Sequence, residues 1–173
     1  MTAPQRSLTP DFAVAQRELM LQGLERELEV TKRVLSAVPD SNRDFRLDPK
    51  SRTAWELAWH LASSDVQMLD EVADHKFDMT PRFQQEPKDI ADLLNWYETN
   101  FKRAAHRVRA MTPEQLATPV DFAGVFNLPA VFYLGFVNNH SIHHRGQLAA
   151  FLRPMGSKVP AIYGGSADEP WKG

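Results

Sequence analysis

Asn139-His140-Ser141-Ile142-His143-His144-Arg145-Gly146-Gln147 holds three of the chain's six histidines, and its reading decides the fold. His140 and His144 stand four residues apart, so on a helix they project from one face at a distance that one metal ion can bridge. Tyr133, Val137, Leu148 and Phe151 define the apolar stripe of that helix. His144 falls within the stripe and His140 at its edge, whereas His143 points about 120° from its centre at about 100° per residue. That turns His143 toward the surface or behind a ligand. A third ligand must come from another segment, and His60, in Thr53-Ala54-Trp55-Glu56-Leu57-Ala58-Trp59-His60-Leu61, is the strongest candidate.

Outward from this stretch, prolines divide the chain into four helical segments. The first is expected over residues 10–38, with Thr9 as N-cap, Pro10 at the first helical position, Pro39 at its end and Phe12, Leu19, Val30, Val34 and Leu35 as its apolar side. The second runs from Thr53, spaced from Glu56 as in a capping box, to about Val72, with Leu57, Leu61, Met68 and Val72 inward. His60 borders that side, with the small Ser64 one turn later leaving room for a site. Between the two, residues 39–50 read as a polar connection. The third spans about 89–111, where Leu93, Trp96, Tyr97, Phe101, Ala104 and Val108 recur at helical spacing. Residues 118–127 fit a short hairpin and an apolar loop equally well. The fourth is expected from Pro129, with Asn127 nearby as a cap, to Arg153, before Pro154 and Gly156 stop it. Residues 157–173 form an irregular tail, in which Ile162, Tyr163 and Trp171 can anchor against the bundle. The expectation is an all-α, four-helix bundle in a single domain over 1–173, with less regular termini at about 1–8 and 157–173.

Composition narrows the function. A chain of 173 residues that is 43% hydrophobic and 24% charged is a globular protein able to bury a core. Its formal net charge of -2 gives no electrostatic reason to expect nucleic acid, and groups such as Lys102-Arg103 read as solvated faces. With no cysteine, thiolate nucleophiles, disulfides and Cys-type zinc sites are excluded, so a metal must be held by nitrogen and oxygen. Charges within the first twenty residues interrupt any secretory pattern, and the longest apolar run, 128–137, is too short to span a bilayer. No membrane association and a cytoplasmic location are expected.

Burying three imidazoles without partners costs a few kcal/mol each, and a shared cation removes that cost by taking one lone pair from each ring. Three protein nitrogens leave at least one position for water or substrate, the arrangement of catalytic sites. An ion so held can activate water near neutral pH and polarise a carbonyl. Singly, each histidine reads more readily as a hydrogen-bonded core residue; the convergence of three carries the metal reading. His75 and His106 lack such partners and are expected at the surface. The His-Glu-x-x-His pattern is absent, since position 141 is Ser, as are a glycine-rich phosphate loop and a nucleophilic-serine elbow.

At these residues the chain resembles the DinB/YfiT-like superfamily of bacterial metal-binding four-helix bundles. The likeness rests on Trp59-His60-Leu61, on His-x-x-x-His-Arg-Gly-Gln at 140–147, on Phe151-Leu152-Arg153-Pro154-Met155-Gly156, and on Val159-Pro160-Ala161-Ile162-Tyr163-Gly164. It implies that His60, His140 and His144 are the ligands of a divalent metal, zinc or nickel, in a homodimer. The superfamily includes mycothiol-dependent maleylpyruvate isomerase and bacillithiol transferases, so the resemblance implies a small-molecule substrate used with a low-molecular-weight thiol. A DNA polymerase shares the name, and nothing here implies its chemistry.

Three functional readings follow. The first is a metal-dependent S-transferase, isomerase or hydrolase; the second is a non-enzymatic metal-binding or stress-related protein whose ion is mainly structural. The third is an interaction module suggested by Trp55 and Trp59, placed on the face of the second helix away from the metal, with packing inside the chain favoured over a dimer contact. Glu56, Gln67 and Glu71 lie within reach of the His60 face as acid–base candidates, although such residues more often sit at the surface, and Tyr163 can cap the pocket from the tail. Arg145 and Gln147 are expected to bond adjacent segments. Gly146, which costs about 1 kcal/mol relative to Ala inside a helix, is expected to permit close packing of a neighbouring backbone.

Overall fold

Capping chemistry sets the helix starts in the computed structural model, which describes residues 8–78 and 80–171. Thr9 accepts from the Phe12 N–H to open α1 (Pro10–Ser36). Thr53 and Glu56 close a reciprocal capping box ahead of α2 (Ala54–Asp74), and Asp89 caps α3 (Ile90–Arg109). A five-residue α4 (Pro113–Ala117) starts on a second capping box, Thr112 with Gln115, a signature the sequence carried and the four-segment reading passed over.

Residues 118–129 fold as a hairpin, β1 (Pro119–Phe122) paired antiparallel with β2 (Phe126–Pro129), with Val120 opposite Leu128. Ala123 and Gly124 both take positive φ, 51° and 72°, as a tight primed turn requires, and the Asp121 carboxylate accepts from the Gly124 N–H. This pairing moves the start of the last helix. Asn127 belongs to β2 and is no cap, Pro129 ends the strand, and after a 3-10 turn at Ala130–Phe132 α5 runs over Tyr133–Leu152.

α1 and α2 each pack between α3 and α5, giving the all-α four-helix bundle. α5 contacts both α1 and α2, which explains why its buried residues spread around its circumference. The inward stripe of α1 is Leu21, Leu24, Leu28, Thr31, Val34 and Leu35. Phe12 and Leu19 lie off it and are exposed, because neither is in phase with that stripe. Trp55 and Trp59 are buried within the chain. Trp59 packs edge-on against Trp96, and the Trp55 indole N–H donates to Glu86 at 2.7 Å.

Arg145 is the largest fully buried side chain, 1% exposed. Its guanidinium pairs with Glu27 at 2.5 Å, donates to Thr31 Oγ1 at 3.1 Å and reaches the Tyr163 hydroxyl, which itself donates to Glu27. One residue thus ties α5, α1 and the tail together, the structural role expected of it. The tail, from 157 to 171, holds no helix or strand; residues 1–7, 172 and 173 of the expected irregular termini lie outside the described residues.

Because Arg145→Ala removes a buried guanidinium with its bonds to Thr31 and Glu27 and leaves the partly exposed Glu27 with Tyr163, it is expected to lower unfolding stability by about 2 kcal/mol in urea titration. Arg145→Lys should recover only part of the loss, since an ammonium cannot bond Thr31, Glu27 and Tyr163 with the same fork.

Candidate metal centre

His60 lies near the start of α2, and His140 and His144 lie one turn apart on α5, which packs beside it. The three rings offer nitrogens that all lie within 4.8 Å of one another. Ring centroids are 5.2 Å apart for His60 and His140, 4.6 Å for His60 and His144, and 4.4 Å for His140 and His144.

Each ring has a partner on its outward-facing nitrogen. His140 Nδ1 lies 3.3 Å from Asp65 Oδ1, and Asp65 also accepts the Tyr97 hydroxyl on Oδ2 at 2.7 Å. An ionised carboxylate can only accept, so Nδ1 of His140 carries the hydrogen and Nε2 is left with its lone pair. The same tautomer at the other rings lets His60 Nδ1 donate to Ser64 Oγ at 3.2 Å and His144 Nδ1 to Gln147 Oε1 at 2.8 Å. Three Nε2 lone pairs then face one another.

His60 Nε2 stands 3.2 Å from His144 Nε2. Two bare lone pairs at that distance repel unless a proton or cation lies between them. Tetrahedral ligation with metal–nitrogen bonds of 2.0–2.1 Å separates two nitrogens by about 3.3 Å, so the spacing suits a cation. A neutral ring can also bridge the pair by carrying its hydrogen on Nε2, which at His60 requires the Ser64 hydroxyl to donate to Nδ1. A charged ring is disfavoured, because burial first, then the charge of Arg52 and the neighbouring histidines, holds the His60 imidazole down to about 4. Burial also lowers His144, against a bond from Gln147 that favours its charged form. The donor set therefore fits a divalent ion.

Beside the rings lies a cavity of about 550 Å³, lined by both polar and aromatic side chains, among them Arg52, Glu56, Trp59, His60, Ser63 and His140. The loop between α2 and α3 forms one wall through Asp78, Pro81, Phe83 and Glu86. Gln67 pins that loop by donating to the Asp78 and Thr80 carbonyls and accepting the Arg82 N–H.

Several expectations change here. Trp59 lines the cavity with His60, so it does not face away from the site. Tyr163 is held by Arg145 and Glu27 and is not among the cavity's lining residues. Gly146 has nothing within 4 Å of where a Cβ would stand, so no neighbouring backbone packs there. His75 is half-buried at the end of α2, in the left-handed region at φ 54°, whereas His106 and His143 are exposed as expected. Glu56 serves the capping box, and Glu71 is buried, not at the surface. The sequence reading missed Asp65 and Tyr97 as supports of His140; an acidic residue at an inward helix position was the available sign.

Among curated proteins, an uncharacterized protein of Bacillus subtilis named YrdA is 24% identical over 152 residues, covering 87% of this chain and 89% of the relative. Among solved structures, a DinB-like protein from Bacillus cereus superposes with a TM-score of 0.72 at 25% identity, over 84% of this chain and 97% of that one. The DinB-like protein YjoA of Bacillus subtilis gives 0.67 at 20% identity, over 83% and 97%, and shares the fold. The family model described as the DinB superfamily matches residues 23–148, a span that takes in His60, Asp65, His140 and His144, and the chain belongs to that superfamily.

Proposed function

We propose that this chain, read as one helical domain, is a metalloenzyme whose ligands are His60, His140 and His144 and whose ion is zinc or nickel. Convergence of one ring nitrogen from each of three histidines, each ring also bonded by an outward partner, is the observation that carries this reading. Bound there, a divalent ion supplies Lewis-acid chemistry, lowering the pKa of a water or thiol and polarising a carbonyl.

The protein's own groups do the rest. Asp65 keeps the His140 hydrogen on Nδ1 and raises the basicity of Nε2, with Tyr97 holding the carboxylate in place. Burial and the Asp65 charge hold the Tyr97 phenol well above its ordinary range, so it stays a donor. Half-buried rings beside an open cavity support a site with a free coordination position and a small-molecule substrate. Transfer or isomerisation with a low-molecular-weight thiol is the reading that superfamily membership favours, and metal-dependent hydrolysis is the other; a homodimer accords with both. A mainly structural ion is the competing role, supported by the way the rings bridge α2 and α5.

Elemental analysis should find about one divalent ion per chain, lost in His60→Ala together with any turnover; full activity of that variant would refute the enzyme reading. Asp65→Asn should weaken metal binding about tenfold, whereas a structural-only role for Asp65 would leave affinity unchanged. The sign of the pH dependence follows from His60. Its lowered pKa keeps that ring free of protons at mildly acidic pH, so release should come only as pH falls below 6.5. A chromogenic chelator reads that release, and a midpoint at or above 6.5 would contradict it.

A further inference from the structure

The cavity extends along α2 well past the histidines. Arg52, Glu56, His60, Ser64, Gln67 and Glu71 line it about once per turn. At 1.5 Å per residue Glu71 lies about 16 Å from His60 along the helix axis.

Four carboxylates line this cavity, and three have evident local uses. Glu56 accepts the Thr53 N–H at 2.7 Å, Glu86 accepts the Trp55 indole at 2.7 Å, and Asp78 accepts the Thr80 N–H at 3.0 Å. Glu71 differs, being only 3% exposed. Its Oε1 receives Gln67 Nε2 at 3.0 Å and the Asp78 N–H at 3.1 Å, which fixes the plane of the carboxyl group. Oε2 has no hydrogen-bond partner among the described residues.

Burial raises the Glu71 carboxyl, against the bonds from Gln67 and Asp78 that favour its charged form. A buried carboxylate is stabilised most by a counter-charge. Arg52, the guanidinium that lines the cavity, stands at the far end, and Arg82, paired with Asp74 at 2.7 Å, acts on Glu71 through its charge but makes no hydrogen bond to it. Met68, Phe83, Phe122 and Phe136 supply apolar and aromatic walls, a setting that attracts an organic cation.

We propose that Glu71, with Asp78 beside it, is the recognition point for the ammonium group of an elongated, otherwise apolar ligand whose other end reaches the histidines. One oxygen of Glu71 holds the loop, and the other receives the ligand's N–H. Only the placement of the reacting end rests on the metal reading.

Calorimetric titration of the full chain with n-octylammonium and with 1-octanol tests the ammonium end. Chelator-treated protein is used, so that no ion can draw the amine and failure of the metal reading leaves the result intact. The wild type should bind the ammonium at least tenfold more tightly than the alcohol. Glu71→Gln, which keeps an acceptor for Gln67 and Asp78, should abolish that preference with alcohol affinity unchanged, and Glu56→Gln should retain it. Equal affinities in the wild type, a preference that survives Glu71→Gln, or one lost equally in Glu56→Gln would overturn the proposal. If circular dichroism shows Glu71→Gln unfolded, Asp78→Asn in the exposed loop replaces it; it should narrow the preference at least threefold, and no narrowing overturns the proposal.

Discussion

Convergence of imidazoles from two helices is the constraint on which the rest of the structure depends. His60 and His144 face each other at 3.2 Å across the α2–α5 contact. Sliding either helix by one turn, about 5.4 Å, would dissolve the cluster. The bundle guards that register with buried polar ties. Tyr97 on α3 bonds Asp65 on α2, which in turn holds His140 on α5. Arg145, one residue beyond His144, fastens α5 to α1 and the tail. Tyr97, Asp65 and Arg145 are out of water, so breaking either tie leaves a buried polar group short of a partner, and together the ties hold the rings to one geometry.

The site that results is asymmetric. Asp65 and Gln147 bond His140 and His144 without lining the cavity, whereas Ser64 bonds His60 at the cavity wall. Beside the rings runs that cavity, with a guanidinium toward one end of α2 and a buried carboxyl toward the other. Burial acts oppositely on the two kinds of group. It favours neutral His60, which leaves a lone pair for a cation, and it disfavours charged Glu71, which creates a demand for one.

Local rules made much of this legible in the sequence. Thr9, Thr53 and the i, i+4 spacing of His140 and His144 report on residues a turn apart, and the caps and the shared face are found as those rules require. His60 was found because its segment was strongly helical and because two ligands demand a third. What was not legible depends on contacts across the chain. The hairpin displaced the start of α5 because strand pairing extended the backbone through Pro129. Phe12 and Leu19 looked like core by hydrophobicity, yet lie outside the stripe that meets the bundle. Gly146 invited a packing argument that its open surroundings remove. Asp65 needed Tyr97, from a helix far along the chain, before its inward position made sense.

The central claim concerns three nitrogens around one ion with a place left open, and X-ray absorption at the zinc or nickel edge of the purified, metal-loaded protein addresses it directly. The account predicts three imidazole scatterers with nitrogen at about 2.0–2.1 Å for zinc, plus at least one exchangeable oxygen. A first coordination sphere made of oxygen alone, without imidazole scattering, would contradict it.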